Sequence, residues 1–238
     1  MDMAGVELSD LRFRWTRTGP LILDIDAFAV EAGARIFLRG PSGSGKTTLL
    51  NVIGGVATPQ TGRIRIGDTE ITKLSPAARD RFRAERIGFI FQQFNLVPYL
   101  GLIENVTLPC RFSAQRRDKA TANRSLDQEA RRLLTHMQLD PAELAGRPVA
   151  TLSVGQQQRV AAARALVGSP DLIVADEPTS SIDADAREAF LNLLFDETKR
   201  TGATVIFVSH DTGLTDMFDR TVDLASINRA APTQKRAA

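Results

Sequence analysis

Cysteine occurs once in these 238 residues, at Cys110, and that excludes a framework of internal disulfides. The chain therefore suits a reducing compartment, and Cys110 reads as a small apolar side chain. No apolar run approaches the roughly 18 residues that a membrane-crossing helix needs. The N-terminus also lacks the basic-then-apolar layout of an export signal, so the chain is expected to stay inside the cell and off the bilayer core. Charge of one sign is missing too: 30 Lys and Arg face 28 Asp and Glu, for a net charge of +2, although the pI is near 9. The densest basic stretch, Arg111 to Arg132, also holds Asp118, Asp127 and Glu129, and reads as a solvated helical face. Without interleaved aromatic and basic residues, no nucleic-acid partner is expected. What remains is the composition of an ordinary globule, 43% hydrophobic and 24% charged, long enough for one large α/β domain or a core plus a lobe.

Within that globule one stretch carries chemistry: Gly40-Pro41-Ser42-Gly43-Ser44-Gly45-Lys46-Thr47-Thr48 fits the phosphate-loop pattern G-x-x-x-x-G-K-[ST]. Arg35 to Arg39 before it reads as a strand, and Thr47 to Ile53 after it as the start of a helix. The glycines let backbone N–H groups turn inward onto an anion, and the helix N-terminus adds its own unpaired N–H groups. Lys46 supplies a full charge to the β- and γ-phosphates, and the Thr47 hydroxyl can ligate Mg²⁺.

Read in order, Val6 to Trp15 is a strand, and Leu21 to Val30 continues the β pattern with Leu23, Ile25, Ala27 and Ala29 on one face. Arg63 to Gly67 is a short strand, Ser75-Pro76 opens a helix, and Arg86 to Phe91 is a buried strand ending at Gln92. From Phe94 to Ala165 the pattern is helical, with expected helices at Ile103–Leu108, Thr121–Leu139, Pro141–Ala145 and Gly155–Val167. Strand character resumes at Leu172 to Asp176, followed by a helix over Asp185–Arg200 and a strand over Thr204–Val208. The reading is an α/β core (1–93 and 166–227) with an inserted helical lobe (94–165) and a disordered tail (228–238). The acids Asp176 and Glu177 close an apolar strand downstream of a phosphate loop, where Asp176 can hold Mg²⁺ and Glu177 can polarise the attacking water.

Leu152-Ser153-Val154-Gly155-Gln156-Gln157-Gln158-Arg159, just upstream of Asp176-Glu177-Pro178-Thr179, resembles the LSGGQ signature of ATP-binding-cassette (ABC) ATPases. Gln92 falls where that family has its Q-loop glutamine, Ser181-Ile182-Asp183 where it has the D-loop, and His210 where it has the switch histidine. Trp15 takes the place of the aromatic residue that stacks on adenine. The resemblance runs from about residue 6 to 225 and implies a P-loop NTPase core with an antiparallel β subdomain and an inserted α-helical lobe. It also implies ATP and Mg²⁺ as cofactors, with Thr47, Gln92 and Asp176 around the metal and Glu177, Gln92 and His210 in catalysis. Two copies, or this chain and a similar one, would pair head to tail, with Ser153, Val154, Gly155 and Gln156 facing the other copy's phosphate loop. His136 has no such context and reads as a surface residue.

The run Ile87 to Pro98, followed by Ile103 to Pro109, is similar to subunits of the lipoprotein-releasing, macrolide-efflux and cell-division type. Those serve a membrane permease on another chain, which would place this one at the inner face of the membrane through its partner. Two other readings stay open: a regulatory ABC subunit with weak hydrolysis, and a soluble ABC ATPase outside transport. Val154 departs from the family's first signature glycine. A β-branched residue there implies an extended or helical backbone, since positive φ would be costly. The stretch Phe94 to Ile103 is apolar enough to be either core or a partner groove. As a groove it would carry Leu96, Tyr99 and Leu102 as contacts for a short permease helix.

Overall fold

The computed structural model describes residues 4–180 and 182–230. The chain opens with two long strands, β1 (Ala4–Phe13) and β2 (Leu23–Glu31), then β3 (Arg35–Arg39) and the helix after the phosphate loop, α1 (Lys46–Ile53). Next come β4 (Thr61–Ile66), β5 (Thr69–Glu70), α2 (Pro76–Arg86) and β6 (Ile87–Ile90). Helices α3 (Leu102–Thr107), α4 (Pro109–Phe112), α5 (Ala114–Thr121), α6 (Leu126–His136) and α7 (Val154–Leu166) form the lobe. The core resumes with β7 (Leu172–Asp176), α8 (Ala184–Thr201), β8 (Thr204–Val208), β9 (Arg220–Asp223) and α9 (Leu224–Ile227).

Two sheets result: an antiparallel one in the order β2-β1-β4-β5, and a parallel one in the order β6-β7-β8-β3-β9. The parallel strands have little polar alternation because both faces are covered. Phe37, Ile173, Ala175, Val205 and Phe207 point into a cluster with the lobe helices and α8. Their neighbours Ile36, Leu38, Leu172, Val174, Ile206 and Val208 join a second cluster with α1 and the antiparallel sheet. The lobe thus has no separate core; Val106, Leu133, Leu134 and Val160 share one cluster with the sheet. A buried carboxylate adds a polar tie: Glu197 on α8 accepts from Arg132 of α6 at 2.6 Å and from Arg200 at 2.6 Å. Burial alone would raise its pKa, but the Arg200 and Arg132 bonds reverse that and hold it below the usual value. His136, expected at the surface, instead bonds the Leu193 carbonyl of α8 at 2.8 Å.

Several expectations need correction. In β2 the buried residues are Leu23, Ile25, Phe28 and Val30, while Ala27 and Ala29 face solvent. The face switches because β1 bulges at Asp10 (φ 52), shifting its register against β4 between Ser9 and Arg12. Gly62 makes this possible: a Cβ there would sit 2.6 Å from the Leu11 Cα. The helix expected over 121–139 is shorter, α6 running only from Leu126 to His136, and a separate helix that was not expected, α5, ends where it should have begun, at Thr121. Ser125 starts α6 with a capping box, its hydroxyl accepting the Gln128 N–H and the Gln128 side chain accepting its own. Residues 141–146 are turns rather than a helix. Asn228, expected to open a disordered tail, is instead buried, accepts the Asp24 N–H and donates to the Ile22 carbonyl. Residues 231–238 lie outside the described residues. Among the described residues no helix is long and apolar enough to cross a membrane.

The stretch 94–103 divides. Phe94 is buried, Leu102 is 4% exposed within the core, and Leu96 packs on that core, whereas Tyr99 is 78% exposed. Leu102→Glu is therefore expected to destabilise the chain by about 3 kcal/mol or more, from burial of an unpaired charge. Tyr99→Glu should stay within about 0.5 kcal/mol of the native chain. Urea unfolding of the two variants checks this.

Candidate functional site

In an open parallel sheet the strand C-termini all face one edge, and ligands gather there. The phosphate loop follows β3, Asp176 ends β7 with Glu177 next after it, His210 follows β8, and Gln92 follows β6. β7, β8 and β3 are adjacent, so acids, histidine and loop converge without any long reach. A cleft of about 340 Å³ at this edge is lined by Trp15, Ile22, Ser42, Gly43, Gly45, Lys46, Thr47, Thr48, Glu177 and His210.

The loop's last turn depends on Gly45, the N-cap of α1. It lies at φ 101, where a side chain would be strained and would press within 3.3 Å of the Ile22 carbonyl oxygen. No acidic residue sits in the first turn of α1, which leaves its N-terminal N–H groups free of a competing carboxylate. Lys46 is buried, and its ammonium donates to the carbonyls of Gly40 (2.7 Å) and Pro41 (3.1 Å). Burial lowers its pKa, while Glu177 and Asp176 pull the other way. Burial raises the pKa of Asp176, opposed by the Thr47 hydroxyl beside it. Thr47 and Asp176 thus meet as two hard oxygen donors, a pair that fits Mg²⁺. Lys46 and Asp176 are each short of solvent, which a polyphosphate and a divalent cation would supply in place of water.

Glu177 adopts φ 47, uncommon for a residue with a side chain, while its N–H continues the ladder to the Val208 carbonyl at 2.9 Å. The twist aims its carboxylate at His210, whose Nε2 lies 2.6 Å from Oε1. Trp15 stands at the cleft mouth, 59% exposed, its ring edge-on to Phe13 at 4.9 Å between centroids. Of the other loop residues, Pro41 and Ser44 face a neighbouring cavity of about 420 Å³ bounded by Leu224 and Asn228. The Gly40 carbonyl serves as an acceptor for Lys46.

Gln92 and the signature residues are not among the cleft's lining residues. Gln92 is exposed one residue beyond Phe91, after β6. Ser153 N-caps α7, its hydroxyl accepting the Gln156 N–H at 3.3 Å and the Gln156 side chain accepting its own at 3.0 Å. Val154 is the first residue of α7 and 48% exposed, so of the extended and helical backbones left open by its β-branching the helical one is found. A Cβ on Gly155 would meet only Ile182 at 4.0 Å, an open approach to the backbone. Asp183 caps α8 by accepting the Ala186 N–H at 2.9 Å. Ser181 lies outside the described residues.

Two arginines escaped the sequence reading. Arg187 donates Nε to the Ile182 carbonyl at 2.7 Å and pairs with Asp211, tying the segment before α8 to the residue after His210. The second, Arg164, is buried on α7 against the backbone that follows Gln92. Neither belongs to a motif, and a helix-face arginine usually signals solvent, so only the fold reveals them.

Residues 23–180 match the family model described as ABC transporter. An uncharacterized ABC transporter ATP-binding protein of Mycobacterium tuberculosis is 40% identical over 221 residues, covering 92% of this chain and 86% of that one. The lipoprotein-releasing system ATP-binding protein LolD of Nitrobacter hamburgensis is 37% identical over 221 residues, 92% of each chain. Among solved structures, a dimeric ATP-binding cassette in a post-hydrolysis state with ADP and Pi superposes with a TM-score of 0.78 at 32% identity. The match covers 92% of this chain and 93% of that one.

Trp15 is the only tryptophan, so its emission reports on the cleft mouth alone. Adding ATP or ADP is expected to quench or shift it as adenine stacks on the indole. An unchanged spectrum at saturation, with binding seen by calorimetry, would place the adenine elsewhere. Lys46→Ala should weaken ATP binding by at least about tenfold, the worth of a charge-assisted contact of about 1.5–3 kcal/mol.

Proposed function

Because the chain belongs to the ABC transporter family and is an ATP-binding ATPase of that family, we propose that two copies close head to tail over ATP and Mg²⁺ to drive a separate membrane permease. The observation that carries this is the division of the chemistry. Lys46, Thr47, Glu177 and His210 line one cleft, while the N-terminus of α7, with Ser153, Val154 and Gly155, presents itself outward and away from the cleft lining. A helix N-terminus with an open glycine approach is an anion site waiting for a phosphate that its own chain does not bring to it.

In this reading phosphate oxygens take the place of the Gly40 and Pro41 carbonyls around Lys46. Thr47 and Asp176, with Gln92, would hold Mg²⁺, which when bound neutralises phosphate charge. Glu177 accepts the proton of the attacking water, and His210, already in contact with it, orients that carboxylate and the terminal phosphate. Asp183, which caps α8, would face the dimer seam. Support for a membrane partner comes from the likeness to LolD, whose name assigns it to a lipoprotein-releasing system. The exposed Tyr99 beside a cleft of about 390 Å³, bounded by Leu102, Ile103, Leu144 and Pro148, is the proposed contact.

Glu177→Gln is expected to bind ATP, hydrolyse it slowly and run as a dimer in size exclusion when ATP is present. Gly155→Asp in that background should return it to a monomer, because a carboxylate would meet the partner's γ-phosphate, whereas Val154→Gly should leave turnover within about threefold. A Gly155→Asp chain that still dimerises with ATP would remove the signature from the seam. Tyr99→Glu, at a side chain 78% exposed, is expected to reduce co-purification with the permease while ATP affinity stays within about threefold.

A further inference from the structure

Gln92 sits between two bodies. Before it, β6 belongs to the sheet and ends at Ile90; after it, the backbone from Phe94 to Gly101 is gripped by the lobe. The far half is held by Asn105 of α3, which is fully buried. It accepts the Val97 N–H at 2.9 Å and donates to the carbonyls of Val97, Leu100 and Gly101 at 3.1 to 3.2 Å. The near half is held by Arg164 of α7, whose guanidinium donates to the Asn95 carbonyl at 2.6 Å and the Phe94 carbonyl at 2.5 Å.

That second grip is unusual in two ways. Phe94 and Asn95 lie at φ 59 and 48, consecutive residues with side chains in the left-handed region, a conformation that persists only where its surroundings impose it. Arg164 is buried, and no ion pair with a carboxylate is found for it among the described residues. Burial brings its pKa down to about 10. A buried cation matched only by backbone carbonyls is a poor device for stability, since an apolar side chain would serve packing better. It suits the bending of one particular loop.

We propose that Arg164 is a positioning residue that holds the turn at Phe94 and Asn95 and so makes the placement of Gln92 follow the signature helix. Ser153 caps the same helix whose interior carries Arg164, 11 residues later and about 16 Å along the axis at 1.5 Å per residue. A rigid helix transmits displacement along its length. When Ser153 and Gly155 engage a phosphate on the partner subunit, Arg164 moves with them and carries the two carbonyls, and hence Gln92, toward or away from Thr47 and Asp176. The inference rests on the role proposed above for Gln92.

The test uses the full-length chain with Arg164→Met, Arg164→Lys, Asn95→Gly and the two double variants, beside Gln92→Ala. Calorimetry gives ATP affinity, hydrogen exchange without nucleotide reports on amides 93–97, and turnover is followed against Mg²⁺ concentration. Arg164→Met is expected to keep ATP affinity within about threefold, to speed exchange at 93–97 about tenfold or more, and to raise the half-saturating Mg²⁺ several-fold, as Gln92→Ala does. Arg164→Lys should fall between. Asn95→Gly, which takes positive φ without strain, should restore slow exchange and Mg²⁺ dependence in part when added to Arg164→Met. Native exchange and native Mg²⁺ dependence in Arg164→Met overturn the proposal. Should Arg164→Met fail to fold, Arg164→Lys with and without Asn95→Gly makes the same comparison, and no difference between them overturns it. A normal Mg²⁺ dependence in Gln92→Ala would instead remove Gln92 from the metal site, while the exchange data still decide whether Arg164 holds the turn.

Discussion

Burial of both faces of the parallel sheet is the constraint from which the rest follows. Along β7 and β8 successive side chains enter two different apolar clusters, so the strands have no room for polar chemistry along their length. Reactive groups are pushed to the strand ends, and in a parallel sheet those ends share one edge. Lys46, Asp176, Glu177 and His210 are neighbours in space because β3, β7 and β8 are neighbours in the sheet. The same burial gives the site its electrostatic character. It strips water from Lys46 and Asp176 and shifts their pKa values in opposite directions, each toward loss of charge.

Much of this was legible in the sequence, for reasons specific to each element. The apolar runs of β7 and β8, each bounded by polar ends, can be little else than buried strands. Ser75-Pro76 carries a helix start in its own chemistry, and the structure begins α2 at Pro76 with Ser75 as cap. What failed were properties that depend on a partner segment. The switch of face in β2 arises from a bulge in β1 at Asp10, which in turn needs Gly62 of β4 pressed against it. No window on β2 contains that information. The apolar stretch holding Leu102 suited either a core or a partner groove, and only the packing of the lobe shows that Leu102 anchors α3 in the core. The start of α6, later than the expected Thr121, is a different kind of failure. Ser125 and Gln128 spell a capping box, a start signal carried by the sequence itself inside the expected span.

The segment Ser153 to Gln156 is complete in the isolated chain. Ser153 and Gln156 satisfy each other in a capping box, which completes α7 in the isolated chain. Val154 is tolerated as the first helical residue because that position demands ordinary helical φ, while Gly155 keeps the approach to the backbone open. The sequence departure is therefore absorbed where the backbone asks nothing unusual of it.

The shared cluster between lobe and core also decides what kind of motion the molecule can perform. Val106, Leu134 and Val160 interdigitate with Ile173 and Phe207, and Arg132 and His136 fasten α6 to α8. A hinge would have to open that interface to water, exposing apolar surface and stranding the Glu197 carboxylate. Helices that stay packed can still slide past one another by small increments, as ridges shift within grooves. The lobe is thus built for shear. Whatever small sliding its base undergoes, a rigid α7 passes on undiminished and unenlarged to its N-terminus.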